Sequence, residues 1–202
     1  MTAKRSFEKN NDDQLIARAR RGDERAFLEL VRKYDETVYK FAFKLCRDKT
    51  SAEETMQDTF ISMHRGLKSF SGRSKLSTWL YRIVSNHCLM KRRRRNVDTI
   101  MESYDEPALA AGDEKTPRWN ETPADVLLKR EFRKLLDKAI LALPMEYRIV
   151  FTLRDLEDRS TAETAKIVGI SQEAVKSRLR RARAFLRDTL HPYMSHQGTS
   201  LQ

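Results

Sequence analysis

Apolar residues recur at every third or fourth position over most of this chain, and that spacing restricts it to helices. Between positions 27 and 45 the apolar residues form one such series: Phe27, Leu30, Val31, Tyr34, Val38, Phe41, Ala42 and Leu45. This spacing places a single apolar stripe on an α-helix, whereas a half-buried strand would show strict alternation. Six glycines and five prolines in 202 residues are too few for a turn-dense β-sandwich. The sequence therefore predicts an all-α fold.

Four helices are predicted in the N-terminal half. Asp23 has the position of an N-cap for the second helix, and Ser51 with Glu54 has the spacing of a capping box for the third. The fourth helix starts near Leu76 and runs into the basic stretch Lys91–Arg95. Four helices of this length can pack into one domain that ends near residue 95.

Charge divides the chain into three segments. Residues 1–95 carry a net charge of +11, residues 96–130 carry −4 and residues 131–202 carry +4. The acidic segment also holds three of the five prolines and no sustained apolar period, a composition typical of a linker. The sequence therefore predicts two small helical domains, at 12–95 and 124–190. An acidic linker at 96–123 joins them, and a disordered tail at 191–202 follows.

The end of the chain has the order of a helix-turn-helix motif. Helices are predicted at about 124–142 and 146–156, and Ser160 with Glu163 then forms a second capping box before a short helix. The turn Gly169–Ser171 ends that helix and caps a longer one. In a DNA-binding helix-turn-helix, the second helix enters the major groove.

The predicted last helix is strongly basic on one side. Between 172 and 187 it carries six basic residues against the single acid Glu173, while Val175 and Leu179 lie on its apolar face. A basic helix that is merely solvated is the alternative interpretation. The combination of capping box, turn and basic helix favours DNA binding.

The overall charge and the cysteine content point to a cytoplasmic protein with a polyanionic partner. The chain carries a net charge of +11, which favours a partner such as nucleic acid. Cys46 and Cys88 lack C-x-x-C spacing and are too few for a disulfide framework. No apolar run approaches the length of a membrane span, and no signal-peptide pattern follows Met1. We therefore expect no membrane insertion.

Blocks in both halves resemble one known family. They are Ala52–Phe60, Ser77–Asn86, Leu141–Pro144 with Tyr147–Arg148, and Val175–Leu179 followed by Arg181–Arg183. With these blocks in this order over roughly 12–95 and 124–190, the chain resembles the small extracytoplasmic-function (ECF) sigma factors of bacterial RNA polymerase, in the sigma-70 superfamily. The resemblance implies a four-helix region 2 domain and a region 4 helix-turn-helix domain.

The resemblance implies transcription initiation and no catalysis. A protein of this family binds core RNA polymerase through the β′ and β subunits, recognises promoter DNA about 35 and 10 base pairs upstream of the start site, and assists melting. It implies no cofactor and no metal, and it implies an anti-sigma factor as a further partner. The acidic 96–123 segment resembles the family's connector, which threads through a polymerase channel.

Core-polymerase binding is expected on the helix predicted at 51–67. The resemblance implies that this helix docks on a coiled coil of β′, where exposed amides and carboxylates can pair with partner Arg or Lys. For Gln57 and Asp58, an ordinary solvated helix face is the alternative. The expected residues are Glu54, Gln57, Asp58 and Met63.

The segment 70–95 resembles the reader of the −10 element. A small polar loop beside an aromatic-rich helix suits the binding of an unstacked base. Trp79 and Leu80 fall on the apolar stripe, so we expect them in the core, whereas Arg92–Arg95 would contact duplex phosphates. The expected −10 residues are Phe70, Arg73, Ser74, Lys75, Thr78, Arg82, Asn86, Arg92 and Arg93.

The helix-turn-helix would read the −35 element. By position in the motif, residues near the start of the last helix contact base edges, and residues further along contact phosphates. The expected −35 residues are Gln172, Lys176, Ser177, Arg178, Arg180, Arg181 and Arg183, with Arg178 and Arg183 assigned to phosphate.

Two other classes of function are open alternatives. A one-component transcription regulator would bind promoter DNA without polymerase. A nuclease or metal-dependent hydrolase would need a convergent acidic or His/Cys cluster. Cys46 with His87–Cys88 could bind zinc or sense redox, although a buried cysteine is ordinarily a small hydrophobic residue.

Overall fold

The computed structural model describes residues 12–95 and 123–195, and every regular element in these two ranges is helical. The first range contains α1 (12–20), α2 (Glu24–Cys46), α3 (Lys49–Gly66), a 3-10 turn (Leu67–Ser69) and α4 (Leu76–Arg95). The second contains α5 (Pro123–Ala142), α6 (Met145–Phe151), a π-helical turn (Thr152–Leu156), α7 (Thr161–Val168) and α8 (Gln172–Ser195). This confirms the all-α prediction.

The domain limits differ slightly from those expected from the sequence. Helix α5 begins at Pro123, and the remainder of the expected linker lies outside the described residues. Helix α8 continues to Ser195, beyond the expected limit at residue 190. Residues 191–195 therefore extend the last helix, and the rest of the expected tail lies outside the described residues.

One of the predicted helix caps is confirmed and another is wrong. The Asp23 carboxylate accepts a hydrogen bond from the backbone N–H of Ala26 at 3.0 Å, as predicted for the start of α2. Helix α3 starts earlier than predicted, because the Asp48 carboxylate accepts from the N–H of Ser51 at 2.7 Å. Ser51 therefore lies in the first turn, and the predicted capping box with Glu54 is wrong. A carboxylate is favoured at this position because its charge also interacts with the helix dipole.

The N-terminal module, residues 12–95, packs its helices around a core centred on α2. Leu30, Phe41 and Leu45 of α2 are fully buried, and they share one apolar cluster with Met63 of α3 and Leu80 of α4. The predicted stripe of α2 is thus the face that the other helices cover.

The C-terminal module, residues 123–195, has two smaller clusters of its own. In one, Ile140 of α5 packs with Leu186 of α8. In the other, Val150 of α6 packs with Val175 and Leu179 of α8. Helix α8 therefore runs through both clusters and holds the module together.

The two modules are docked on each other, which the sequence did not indicate. Ile149, Leu153 and Ile167 of the C-terminal module are fully or almost fully buried, and they belong to the same apolar cluster as the core of the N-terminal module. Helix α4 packs on α7, and α6 packs on both α2 and α4. The two domains predicted from the sequence therefore share an interface.

A buried guanidinium joins the modules at the end of α2. Arg148 of α6 donates from Nη1 to the carbonyl of Leu45 at 2.8 Å, and from Nη2 to the carbonyls of Leu143 at 3.0 Å and Leu141. These carbonyls lie at or near helix C-termini, where the last backbone acceptors lack partners within the helix. One side chain of the C-terminal module thus satisfies helix ends in both modules.

A second set of polar side chains also links the two modules. The Glu157 carboxylate accepts from Lys44 Nζ at 2.7 Å and from the Tyr81 hydroxyl at 2.8 Å. Arg159 lies over the Tyr81 ring, with its Cζ 4.9 Å from the ring centroid. Burial, followed by the hydrogen bond to Glu157, raises the pKa of Tyr81 to about 12. Both modules contribute charged groups to one partly buried network, which we call the interface network (Lys44, Tyr81, Glu157 and Arg159).

In the ranges described, no helix combines the length and the apolarity that crossing a bilayer requires.

We predict that Glu157→Gln weakens docking of the modules, because an amide cannot replace a carboxylate that accepts from both an ammonium group and a phenol. Charge-assisted hydrogen bonds contribute about 1.5–3 kcal/mol, so the docking equilibrium should shift about tenfold or more. Small-angle X-ray scattering should show a larger radius of gyration.

The matched control is Glu36→Gln on α2, whose ion pair with Lys40 is exposed and lies within one helix. It should leave the radius of gyration unchanged. An unchanged radius in both variants would contradict the assigned role of Glu157.

Candidate nucleic-acid and polymerase interface

The helix-turn-helix is formed as the sequence predicted. The Ser160 hydroxyl accepts from the N–H of Glu163 at 3.1 Å, and the Glu163 carboxylate accepts from the N–H of Ser160 at 3.0 Å. The Ser160 N–H and the Ser160 hydroxyl both donate to the Glu163 carboxylate, and these bonds hold its pKa below its usual range. Gly169 ends α7 with a positive φ of 75°, which favours glycine. Ser171 then accepts from the N–H of Ala174 at 3.1 Å and starts α8.

The first turns of α8 present an exposed basic face. Gln172, Lys176 and Arg180 lie four residues apart and are exposed, whereas Val175 and Leu179 are buried against α6 and α7. Residues four apart share one face of a helix. We call these three residues the α8 face. It combines an amide, an ammonium and a guanidinium, the groups that bind base edges and phosphates in a major groove.

Two other basic residues of α8 contact side chains of the same module. Arg183 donates two hydrogen bonds to the Asp155 carboxylate, at 2.9 and 2.8 Å, and this contact raises the pKa of Arg183. Arg181 is half-buried and donates to the Tyr147 hydroxyl of α6 at 3.4 Å. The structure therefore gives Arg181 a packing contact and not the exposed base-edge position expected for it. Ser177 and Arg178 are half-buried.

The loop before α4 is polar, but its aromatic residue is not exposed. Arg73, Ser74 and Lys75 are exposed, and Gly72 has a φ of 70° that lets the loop turn. Phe70 is 7% exposed, and its ring centroid lies 5.0 Å from that of Trp79. The expectation that Phe70 meets single-stranded DNA is therefore corrected: an apolar ring at this position gains more from packing in the core.

Helix α4 continues the predicted face. Arg82 and Asn86 are exposed, and Thr78 one turn earlier is half-buried. Leu80 is in the core and Trp79 packs against it, as expected. The backbone of α4 extends through Arg92 and Arg93, but their side chains lie outside those that the structure describes.

Gly66 explains how Trp79 reaches its place. A Cβ on Gly66 would lie 3.1 Å from Cζ2 of the Trp79 ring, closer than ordinary van der Waals contact. The absence of a side chain on Gly66, at the end of α3, therefore leaves room for the Trp79 ring. This role concerns space and not the backbone conformation of a turn.

The C-terminal module packs on α4 next to the face expected to bind the −10 element. Tyr81 of α4 is 4% exposed, with Arg159 of the C-terminal module over its ring. Lys75 is close enough to Glu163 of α7 to lower the pKa of that carboxyl. The docked arrangement therefore covers Tyr81 of α4 but leaves Arg82 and Asn86 exposed.

Helix α3 presents an acidic and polar face. Glu54 and Gln57 are exposed and Asp58 is half-exposed. Lys91 of α4 lies 3.2 Å from a Glu54 oxygen and 3.8 Å from an Asp58 oxygen. Met63 is fully buried, so the expectation that it contacts polymerase is corrected: it lies on the apolar stripe that α2 covers.

Ile61 is a surface residue that the sequence analysis missed. It is 49% exposed and lies four residues after Gln57, so it extends the face that carries Glu54, Gln57 and Asp58. We call these four residues the α3 face. The signal was present, because Ile61 is a large apolar residue that does not belong to the stripe of α3.

The side chain of His87, one of the candidate zinc ligands, contacts a neighbouring helix. The His87 Nε2 lies 2.9 Å from the Ser62 hydroxyl and joins α4 to α3. Within the described ranges, no group of three or more His, Cys, Asp or Glu side chains is placed to hold a metal ion.

Comparison with known proteins gives the family. Residues 30–97 match the model of sigma-70 region 2, and residues 133–186 match that of sigma-70 region 4. The RNA polymerase sigma-H factor of Pseudomonas aeruginosa is 33% identical over 186 residues, which cover 91% of this chain and 95% of that protein. The ECF RNA polymerase sigma-E factor of Escherichia coli is 31% identical, and the match covers 92% of this chain and 97% of that protein. This chain belongs to the ECF sigma factors.

Two solved structures share its fold. CnrH, in complex with the cytosolic domain of CnrY, has a TM-score of 0.61 at 25% identity over 90% of this chain and 98% of CnrH. The sigma factor RpoE from Bartonella quintana has a TM-score of 0.58 at 23% identity over 82% of this chain and 96% of that one. The prediction of a region 2 domain followed by a region 4 domain is confirmed. Sigma factors direct promoter-specific transcription initiation by RNA polymerase and are in general not enzymes.

We predict that Ser160→Ala destabilises the helix-turn-helix of this sigma factor, because it removes the acceptor for the N–H of Glu163. Loss of an N-cap costs about 1 kcal/mol of unfolding free energy. Thermal unfolding followed by circular dichroism should show the decrease. The matched control Ser160→Thr keeps a hydroxyl at the cap and should restore most of the stability; equal losses in both variants would contradict the capping role.

Proposed function

We propose that the two modules of this sigma factor divide promoter recognition between them and that polymerase binding separates them. The α8 face binds the −35 element, the polar loop with α4 binds the −10 element, and the α3 face binds core polymerase. The protein acts in the cytoplasm with polymerase and has no catalytic activity of its own.

The α8 face is the observation that supports this proposal most strongly. Gln172, Lys176 and Arg180 are exposed on one side of a helix that a capped turn holds against α7. All three side chains are exposed to solvent, where a major groove can approach them.

Promoter geometry requires the modules to separate. Elements about 25 base pairs apart are about 85 Å apart along B-DNA, at 3.4 Å per base pair. The docked modules instead share one core and an ion pair of 2.7 Å between Lys44 and Glu157. The docked arrangement cannot span both elements, so we assign it to the sigma factor free of polymerase.

The proposed −10 site combines cations with small polar groups. Arg73, Ser74 and Lys75 lie in the loop, and Arg82 and Asn86 follow on α4. Basic groups hold the backbone of a single strand, and amide or hydroxyl groups can bind an unstacked base. Thr78 lies on the same side of α4, and Arg92 and Arg93 continue the helix toward duplex phosphates.

The proposed polymerase site combines acidic groups with one apolar residue. Ile61 is exposed beside Gln57 and Asp58, so the α3 face has an apolar centre with a polar rim, the usual composition of a protein interface. A basic surface on β′ would complement its carboxylates.

An anti-sigma factor is the proposed regulatory partner. The RpoE structure with a similar fold was solved with the anti-sigma factor NepR, and the CnrH structure with the cytosolic domain of CnrY. A protein that binds both modules would stabilise the docked arrangement and keep the α3 face from polymerase.

Run-off transcription with core polymerase on a random promoter library tests the proposal. A sigma factor should produce transcripts only together with core polymerase, and the selected sequences should contain two separate conserved elements. The rival regulator would shift promoter DNA by itself, and its selected sequences would show no spacing to the start site.

We predict that Lys176→Ala and Arg180→Ala each weaken recognition of the −35 element, because each removes an exposed cation that faces the groove. A specific base contact contributes about 1–3 kcal/mol, so promoter binding by the holoenzyme should fall about 5- to 150-fold. Competition binding with −35 mutants should show relaxed sequence preference.

Arg187→Ala is the control, because Arg187 is exposed about two turns further along α8, beside Asp188. It should change promoter binding by less than the other two. If all three variants bound alike, the α8 face would not be the reader of the −35 element.

We predict that Asp58→Ala weakens core-polymerase binding several-fold and leaves the promoter preference of the assembled holoenzyme unchanged. The carboxylate is half-exposed on the α3 face. Affinity for core polymerase, measured by fluorescence anisotropy of labelled sigma factor, checks the result. Glu36→Ala, an exposed carboxylate on α2, should bind polymerase as the wild type does.

A further inference from the structure

The ammonium group of Lys91, near the end of α4, is bound to the acidic surface of α3. Its Nζ lies 3.2 Å from a Glu54 oxygen and 3.8 Å from an Asp58 oxygen, and it donates to the Thr55 hydroxyl at 3.4 Å. The Lys91 side chain is 31% exposed, against 60% for Glu54 and 45% for Asp58. Most of the lysine is therefore covered, whereas the two carboxylates are open to a partner.

The two carboxylates belong to the surface proposed to bind core polymerase. Glu54 and Asp58 lie on the α3 face, and a basic group of β′ would need the oxygens that Lys91 contacts in this structure. In the chain without polymerase, Lys91 supplies one positive charge to these two negative charges. A cation of polymerase therefore competes with Lys91 for the same carboxylates.

Lys91 also belongs to the segment proposed to bind promoter DNA. It starts the basic run Lys91–Arg95, of which Arg92 and Arg93 are proposed to continue toward duplex phosphates. Asn86 of the proposed −10 site precedes it on the same helix and is exposed. Each cation that neutralises a phosphate adds to affinity for DNA, but an ammonium paired with carboxylates is not available for this contact. Lys91 thus lies between the proposed polymerase surface and the proposed promoter surface.

We propose that Lys91 couples polymerase binding to promoter binding by exchanging partners. When a cation of β′ pairs with Glu54 and Asp58, the ammonium of Lys91 is released and binds a promoter phosphate. The inference rests on the proposed function, because it takes the α3 face as the polymerase site and α4 as part of the promoter site. Lys91 reads no base in this scheme, and it adds affinity for DNA only in the assembled holoenzyme.

The exchange is reversible because the contact that it breaks is weak. A partly exposed ion pair contributes little net stability, since water and salt screen it. Competition between Lys91 and polymerase should therefore change the affinity for core polymerase by no more than about fivefold. Coupling between two binding sites is reciprocal, so Lys91 contributes the same factor to the effect of polymerase on DNA binding and to the effect of DNA on polymerase binding.

The alternative is that Lys91 only fastens α4 to α3. Removal of its ammonium would then loosen the N-terminal module and weaken binding to both partners. The exchange of partners instead predicts effects of opposite sign. Without Lys91, polymerase binding strengthens because a competitor is gone, and promoter binding by the holoenzyme weakens because one phosphate contact is lost.

The test compares the full-length wild type with Lys91→Ala. Lys91→Ala should bind core polymerase up to about fivefold more tightly, measured by fluorescence anisotropy of labelled sigma factor. Promoter binding by the holoenzyme is measured over a series of salt concentrations, on a fragment recovered from the random library. For Lys91→Ala, the slope of log affinity against log salt should be shallower by about 0.9, the value of one phosphate contact. Without polymerase, the two proteins should show the same salt slope on duplex DNA.

Two further variants serve as controls. Lys91→Arg keeps a cation that can pair with carboxylates or with phosphate, so it should restore the wild-type values in both measurements. Lys49→Ala removes an exposed ammonium of α3 that lies 3.8 Å from Glu53, and it should change neither binding. Circular dichroism verifies that each variant is folded.

Three results would overturn the exchange of partners and leave the proposed function intact: Lys91→Ala weakens both bindings, it leaves both unchanged, or it lowers the salt slope on duplex DNA without polymerase. The last result would mean that Lys91 contacts DNA before polymerase releases it. If the wild type itself bound neither core polymerase nor the promoter, the proposed function would be wrong, and this inference with it.

Discussion

The guanidinium of Arg148 is the contact on which the arrangement of this sigma factor depends. It is 9% exposed, and its hydrogen bonds run to backbone carbonyls at the end of α2 and in the turn after α5. A buried cation is tolerated only when acceptors replace its hydration, and removal of the acceptors would leave it uncompensated. The side chain therefore couples the folding of the C-terminal module to its docking: α6 is correctly placed when α2 and the α5 turn are both present.

The same coupling is seen in the apolar cluster that the two modules share. Ile149 and Leu153 follow Arg148 on the same segment, and they are buried against the core of the N-terminal module. In each module alone the apolar surface would face water, at a cost of about 25 cal/mol per Å². The interface network adds polar contacts at the margin. If polymerase is to separate the modules, it must therefore replace both the apolar and the polar contacts with contacts of its own.

Sequence patterns were sufficient where the interaction is local. The stripe of α2, the capping box of Ser160 with Glu163 and the turn at Gly169 each depend on residues within a few positions, and the structure contains all three. The start of α3 was misplaced because two caps, Asp48 and Ser51, compete within three residues, and only geometry decides between them.

Site residues were harder to predict where a side chain can reach two environments. Met63 and Phe70 are apolar residues in functional segments, and packing buried both. Arg181 is long enough to reach the Tyr147 hydroxyl of α6, a contact between residues 34 positions apart that no spacing rule indicates. The docking of the modules could not be predicted for the same reason, since Arg148 and Leu45 are 103 positions apart. A resemblance to a family assigns segments to partners, but the exposure of each residue is a property of the tertiary fold.

The free energy of docking between the two modules must be large enough to specify one arrangement and small enough for polymerase to overcome. If the modules were joined by apolar contact alone, polymerase would have to expose that surface to water before it gained any contact in return. The interface instead includes Lys44, Glu157 and Tyr81, which can exchange protein partners for water or for polymerase groups at a small net cost. A ligand shifts a two-state equilibrium only by the difference in its affinity for the two states. Polar groups at the margin reduce the free energy that polymerase must supply, while the buried guanidinium still specifies one docked arrangement.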